Sequence, residues 1–309
     1  MLRTALILAC CFCASVLHAA TSTVWSPGVN GDSGWEDYDK TEANASLYGS
    51  VGGMCWAATS ANVLSWWYKQ NGLTATIVNP LDGKSYNPWE VYQMVYADYG
   101  WNPQPALNWW INGNPAEYNF TWGYDGAFGG YDMKEEVYDS TSYDAKEKIF
   151  PNEWYYGGFL KDDYNTALAS IFVSGSDSND IYVKSAAIVG ALEDGYALSL
   201  SVPGHAFTLW GVEYQETEDG LLLTEAYITD SDDKLENQLI RAKVETNKGV
   251  LRLYGMEYYD QAGMLIAERQ NQTFDITRAD GMRCVPEPTT TVLTLLALAG
   301  VAMRRRRIH

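Results

Sequence analysis

The sequence predicts an α+β domain in which an N-terminal helix packs on a C-terminal antiparallel sheet. Hydrophobic residues make up 47% of the 309-residue chain and charged residues 19%, a balance that allows a sizeable core. Apolar residues recur at helical spacing in 55–71, whereas from residue 196 onwards they alternate with polar residues. Helices first and strands later in one chain are typical of the α+β class.

Helices are predicted in four segments. The first, 55–71, is followed by Gly72, a residue that ends helices. The second, 88–99, begins with a proline in its first turn, where the missing N–H costs nothing. Two further apolar patterns predict helices over 162–173 and 180–194.

The rest of the core is predicted to lack helices. The aromatic stretch 101–160 has little periodicity and is expected to form long loops and short strands. Four later runs alternate apolar and polar residues and predict an antiparallel sheet: 196–202, 205–214, 221–229 and 237–246. No repeat or linker interrupts 21–283, which we therefore expect to form one domain.

The N-terminal segment 1–20 has the layout of a secretory signal peptide. Arg3 is followed by an apolar run and then by the small residues Ala19 and Ala20. A lipoprotein signal ending at Cys10 is the alternative, with a shorter apolar run. Either pattern predicts that the core is exported.

The C-terminal segment 284–309 carries Pro286-Glu287-Pro288, an apolar run over 292–303 and four arginines, Arg304 to Arg307. That run is shorter than the roughly 20 residues that span a bilayer. The order resembles the PEP-CTERM sorting signal, although a plain tail anchor is the alternative. The resemblance implies an exosortase-type sorting enzyme and the export machinery as partners, transient membrane contact, and a location at the cell surface, in the matrix or in the medium of a Gram-negative bacterium.

Charge and composition exclude several kinds of site. The net charge of −18 opposes binding to phosphate backbones, so no nucleic acid partner is expected. Between the two terminal segments the chain holds one histidine, His205, and after the leader the chain has two cysteines, Cys55 and Cys284. A metal site built from several imidazoles is therefore excluded, no cofactor is expected, and one disulfide at most could form.

Cys55 is a candidate nucleophile, because it begins the first predicted helix directly after Gly52-Gly53-Met54. Unpaired N–H groups and the positive end of the helix dipole favour a thiolate there. The glycines allow a sharp turn and a close approach of substrate. A small buried structural cysteine is the alternative.

His205 and a later acidic run supply the other two parts of a possible triad. His205 begins a strand, and the next strand leads into 229–233, which contains three aspartates. A hairpin would place these carboxylates beside the imidazole. A calcium loop is the alternative, but the run lacks the glycine and glutamate of an EF-hand. Cysteine, histidine and aspartate in this order match a thiolate nucleophile, an imidazole base and an orienting carboxylate.

The alternation of side chains along a strand distinguishes the three aspartates. Asp230 and Asp232 should share a face that Asp233 does not. We expect Asp230 to contact the Nδ1 side of His205 and Asp232 to have a supporting role.

Four segments resemble the IdeS/Mac family of immunoglobulin G-degrading cysteine endopeptidases: 34–41, 54–71, 205–214 and 227–232. The resemblance implies a papain-like fold and a thiol protease that acts on extracellular proteins, with immunoglobulin as a candidate substrate. It also implies a role for each site residue: Cys55 as nucleophile, His205 as base, Asp230 as orienting group, Asp232 as a second acidic residue and Lys40 beside the oxyanion site.

The sequence departs from the family in ways that concern the substrate. Trp56 follows the nucleophile, where the immunoglobulin-cleaving members have a small residue, and the segment between Gly195 and His205 is shorter. Two other functions stay open. One is a transglutaminase-like acyl transferase, which would use the same triad. The other is a non-catalytic surface protein that binds peptide or glycan through its many aromatic residues.

Overall fold

The computed structural model describes residues 20–40, 54–79, 83–94, 103–113, 157–160, 167–173, 180–232, 237–258, 264–265 and 271–284. The leader over 1–19 and the sorting segment from residue 285 lie outside this part of the chain, so their predictions stay untested. The helices of the described part are α1 (Cys55–Gln70), α2 (Pro88–Met94), α3 (Pro103–Asn112) and α4 (Ile181–Glu193).

In the described part of the chain, nine strands form one antiparallel sheet, and two short strands pair separately. The strands in chain order are β1 (Thr21–Trp25), β2 (Ile77–Val78), β3 (Ser85–Tyr86), β4 (Leu168–Val173), β5 (Tyr196–Val202), β6 (His205–Thr217), β7 (Gly220–Thr229), β8 (Ile240–Asn247), β9 (Val250–Tyr254), β10 (Thr273–Asp275) and β11 (Arg278–Arg283). The order in the large sheet is β10-β9-β8-β7-β6-β5-β11-β4, with β1 also paired to β6, while β2 and β3 form the separate pair.

The large sheet curls strongly, because the two-residue link Ile276-Thr277 joins β10 to β11. In a flat sheet these strands would lie roughly 29 Å apart at about 4.8 Å per strand, whereas the link reaches only about 11 Å. The link also bonds to both sides of the curl: Ile276 N–H donates to Leu251 O at 2.8 Å, and Thr277 N–H donates to Ser201 O at 2.9 Å. The curl brings β10 close to the start of β6.

Helix α1 lies in the middle of the domain. It packs on β5, β6 and β11 on one side and on α2 and α3 on the other. The indole of Trp66 donates to Pro27 O at 2.9 Å, and that of Trp67 donates to Arg283 O at 3.0 Å. Nearly every side chain of α1 is buried. The helix start is therefore held rigidly against the sheet.

The coarse fold prediction is confirmed. The structure is a mixed α and β domain with a large antiparallel sheet, and the helix predicted over 55–71 is present as α1. The prediction over 180–194 is confirmed by α4, whose Asp180 side chain accepts from Tyr182 N at 2.8 Å. The four runs of period two are β5, β6, β7 and β8.

Two local predictions are wrong. The stretch predicted as a helix over 162–173 contains β4, because pairing with β11 decides the state of a short apolar run that periodicity leaves ambiguous. The stretch 101–160, predicted to be loops and strands, contains α3. Pro103 stands at the first position of α3, and Trp109 and Trp110 pack against Tyr92 of α2.

No helix in the described part of the chain has both the length and the apolar composition needed to cross a membrane.

Candidate active site

Three separate elements meet at one end of the sheet. Cys55 is the first residue of α1, His205 is the first residue of β6, and Asp230 directly follows β7. The tight link Pro203-Gly204 between β5 and β6 places His205, and Gly204 has a φ of +76°, a conformation that glycine adopts without strain. The fold thus brings together the residues that the sequence singled out.

The thiol of Cys55 lies against the imidazole. It is near enough to His205 to contribute to the raised pKa of the imidazole. Cys55 is only 2% exposed and is not part of a disulfide. Because it begins the helix, its own backbone N–H has no partner within the helix. A sulfur atom, an imidazole and a backbone donor are therefore close together.

His205 binds Asp230 through Nε2, not through Nδ1 as expected. The distance from Nε2 to Asp230 Oδ1 is 2.6 Å. The register is consistent with the difference: Thr208 pairs with Thr229, so Asp230 lies about two residues from the level of His205 along β6, and Nε2, the ring nitrogen farther from the backbone, is the one that reaches it. The contact does not use Nδ1.

The two aspartates meet the imidazole through a turn rather than through the end of a strand. Strand β7 ends at Thr229, and the backbone N–H of Asp232 donates to Asp230 Oδ1 at 3.0 Å. Such a bond to a residue two positions earlier is typical of an Asx turn. The expectation of an extended strand end is wrong, although both carboxylates still approach His205. Asp233 lies outside the described residues.

Asp230 is buried and accepts from several donors. Besides His205 and the Asp232 backbone, the hydroxyl of Tyr258 donates to its Oδ2 at 2.6 Å. Burial alone would raise the pKa of Asp230, but the hydrogen bond and charge of His205, aided by the other two donors, hold the pKa below its usual value. Asp230 is thus held as a carboxylate.

The same contacts shift the pKa of His205 upwards. Burial alone would lower the pKa of His205, but its hydrogen bonds and charge interactions with Asp230 and Cys55 outweigh burial and raise the pKa to about 10. The imidazolium form of His205 is therefore favoured at neutral pH.

Lys40 and Asp232 form the outer part of the site. The Lys40 ammonium is ion-paired with Asp232, and the Lys40 backbone N–H donates to Ser231 O at 2.9 Å. The Lys40 side chain is 9% exposed and that of Asp232 42%. Asp232 Oδ2 also lies 3.6 Å from Nδ1 of His205. Asp232 therefore links Lys40 to the triad, because it contacts both Lys40 and His205.

Asn62 connects all the segments that carry the site, and the sequence analysis did not identify it. It lies on α1, two turns after Cys55. Its Oδ1 accepts from Tyr38 N at 2.8 Å, and its Nδ2 donates to Thr208 Oγ1 at 3.1 Å and to Thr229 Oγ1 at 3.3 Å. A buried amide within an apolar helix was the only signal that the sequence offered.

A small cleft opens beside His205. It has a volume of about 240 Å³ and is lined by Pro203, Gly204, His205, Asp230, Asp232, Gln272 and Phe274. The ring of Phe274 lies 6.3 Å from that of His205 between centroids. Gln272 and Phe274 were not identified from the sequence, because only the curl of the sheet brings β10 to this position.

The same residues could also be considered as metal ligands. One ligand atom each of His205, Asp230 and Asp232 lies within 4.8 Å of the others. However, His205 Nε2 and Asp230 Oδ1 are hydrogen-bonded to each other, and Asp232 forms an ion pair with Lys40. These existing contacts favour a hydrogen-bonded triad over a shared cation.

Comparison of the chain with known protein families and with characterised proteins found no match. The function therefore has to be argued from the geometry and the sequence motifs.

Proposed function

We propose that this protein is a cysteine endopeptidase of the papain-like type. The observation that supports it most strongly is the position of one imidazole, whose Nε2 lies 2.6 Å from the Asp230 carboxylate and whose pKa is raised by both Asp230 and the Cys55 thiol. A nucleophile, a base and a group that orients the base are the parts that thiol proteases require. The central helix packed on an antiparallel sheet is compatible with that fold.

The first chemical step follows from the roles of the two ring nitrogens. Nε2 of His205 donates to Asp230, so Nδ1 is the atom that accepts the proton of the Cys55 thiol. The thiolate attacks the carbonyl carbon of the scissile peptide bond. The imidazolium then donates its proton to the leaving amine, and a thioester with Cys55 remains. Water, deprotonated by the same nitrogen, hydrolyses the thioester.

Two donors are available for the negative oxygen that forms during attack. One is the backbone N–H of Cys55 at the start of α1. The other is the Lys40 ammonium, which Asp232 holds near the triad. Donors of this kind contribute on the order of 10²- to 10³-fold each to kcat. This role for Lys40 rests on the family resemblance together with its position.

The terminal segments extend the proposal to location. A leader over 1–20 and a sorting signal over 284–309 would deliver the enzyme outside the cytoplasm of a Gram-negative bacterium. An exosortase-type enzyme would then process the C-terminal end. The substrates would be extracellular proteins, with immunoglobulin as one candidate.

Digestion of a denatured protein mixture tests the proposal. We expect the wild-type chain to generate new peptide N-termini, counted by mass spectrometry, and Cys55→Ala or prior treatment with iodoacetamide to abolish them. Cys284→Ala is the matched control, because Cys284 is the other free cysteine of the described residues and lies just after β11. Proteolysis by Cys55→Ala would refute the proposal. Release of ammonia with cross-linked products and no new N-termini would favour the transglutaminase alternative.

A further inference from the structure

The cleft beside His205 is lined by His205 but not by Cys55. Its lining residues come from the β5–β6 turn, the end of β7 and the region of β10, with none from α1 or from the segment that carries Lys40. Its volume of about 240 Å³ lies below the roughly 300 Å³ at which drug-sized ligand sites begin. The cleft therefore suits one side chain of an extended substrate.

The proposed chemistry indicates which residue of the substrate places its side chain in the cleft. His205 must donate its proton to the leaving amine, so the leaving part of the substrate has to lie on the imidazole side of the scissile bond. A peptide that crosses the site from Cys55 towards His205 continues into the cleft. This step depends on the proposed function. It places the residue that follows the scissile bond against Asp232, Gln272 and Phe274.

The charges around the cleft favour a cation. Two carboxylates line it, and that of Asp232 is 42% exposed. Among the described residues that line the cleft, the positive group is His205, which belongs to the triad, while Lys40 contacts Asp232 but does not line the cleft. The Phe274 ring offers a surface on which a cation can lie, and the exposed Gln272 amide adds a neutral acceptor.

We propose that this cleft is a specificity subsite that selects lysine or arginine, over aspartate or glutamate, as the residue directly after the scissile bond. The attraction of one charge pair at about 6 Å in water corresponds to roughly a threefold preference.

The test uses the full-length enzyme and the same digested protein mixture. Every cleavage that disappears in Cys55→Ala is aligned, and the frequency of each residue after the cut is compared with its frequency in the mixture. We expect about threefold enrichment of lysine and arginine and a matching depletion of acidic residues. Gln272→Lys, which adds a positive charge to the cleft, should remove the enrichment. Glu216→Gln is the matched control, because it changes the net charge equally at the exposed far end of β6.

The outcomes separate the two proposals. If no cleavage depends on Cys55, the proposed function fails. If cleavage depends on Cys55 but lysine and arginine are not enriched, the subsite inference fails and the proposed function stands. Enrichment that persists unchanged in Gln272→Lys would also overturn the inference, because the cleft would then not be its source. Loss of enrichment in Gln272→Lys, with retention in Glu216→Gln, would support it.

Discussion

Removal of the Tyr258 hydroxyl should weaken the site through the charge on Asp230. Tyr258 is 1% exposed, and its hydroxyl donates to Asp230 Oδ2 at 2.6 Å. Tyr258→Phe keeps the ring and leaves one oxygen of a buried carboxylate without this donor. Hydrogen bonds to charged groups contribute roughly 1.5–3 kcal/mol, so we expect the free energy of unfolding to fall by about 2 kcal/mol at neutral pH.

Tyr92 provides a matched control. It is 0% exposed, and its hydroxyl donates to Ala106 O at 2.8 Å, a neutral acceptor that is not part of the triad. Tyr92→Phe should therefore cost only about 1 kcal/mol. Urea unfolding followed by tryptophan fluorescence measures both values. Equal losses in the two variants would refute the argument that the Asp230 charge strengthens the Tyr258 bond.

The pH dependence of the free energy of unfolding tests the same role of the Asp230 charge. The folded-state pKa of Asp230 is depressed, so this carboxylate stabilises the fold above its unfolded pKa and loses that contribution as the pH falls through its folded value. Without the Tyr258 donor, the folded-state pKa of Asp230 should rise. The difference between Tyr258→Phe and wild type should then shrink below about pH 4. A difference that is constant with pH would contradict a role for the charge.

Three further predictions concern other parts of the site. Asp230→Asn should lower kcat/KM by on the order of 10⁴ and Asp232→Asn by less, while Asp233→Asn should be near wild type. Initial rates on one protein substrate measure the three losses. A larger loss in Asp233→Asn than in Asp230→Asn would contradict this prediction. Because the contacts of His205 with Asp230 and the thiol raise its pKa to about 10, activity should persist into alkaline pH and fall as the pH approaches about 10, and a pH–rate profile that falls near pH 7 would argue against this. Asn62→Ala removes three hydrogen bonds and should lower the free energy of unfolding by about 3 kcal/mol in urea titration, whereas a loss below about 1 kcal/mol would show that Asn62 does not connect the segments.

The sequence was informative wherever the local pattern and the tertiary environment favour the same structure. Helix α1 has helical spacing and a terminating glycine, and its surroundings also require a buried helix. Strand β4 was missed because a short apolar run fits a helix or a strand, and its pairing with β11 lies more than a hundred residues further along the chain. Local pattern carries no information about such a partner.

The same limit applies to the site. Cys55 and His205 could be selected from the sequence because cysteine and histidine are rare after residue 20, and Asp230 because it lies in the acidic run at the end of the strand that follows His205. Which nitrogen of His205 faces Asp230 depended on the register of β6 and β7, which a hairpin prediction does not fix. Gln272 reaches the site only because the sheet curls, and the curl depends on a link that looks like an ordinary loop in the sequence.

The position of β11 has a consequence for the timing of folding. This strand lies between β5 and β4 in the sheet, although it is the last strand of the described chain. A chain that is still being synthesised or translocated before residue 278 therefore lacks an internal strand of its sheet and the support that Arg283 O gives to Trp67 of α1. The helix that positions Cys55 cannot be fully packed at that stage. If the chain is the exported protease proposed above, it would stay inactive until almost the whole domain had crossed the membrane, and the exporting cell would be protected from its own enzyme.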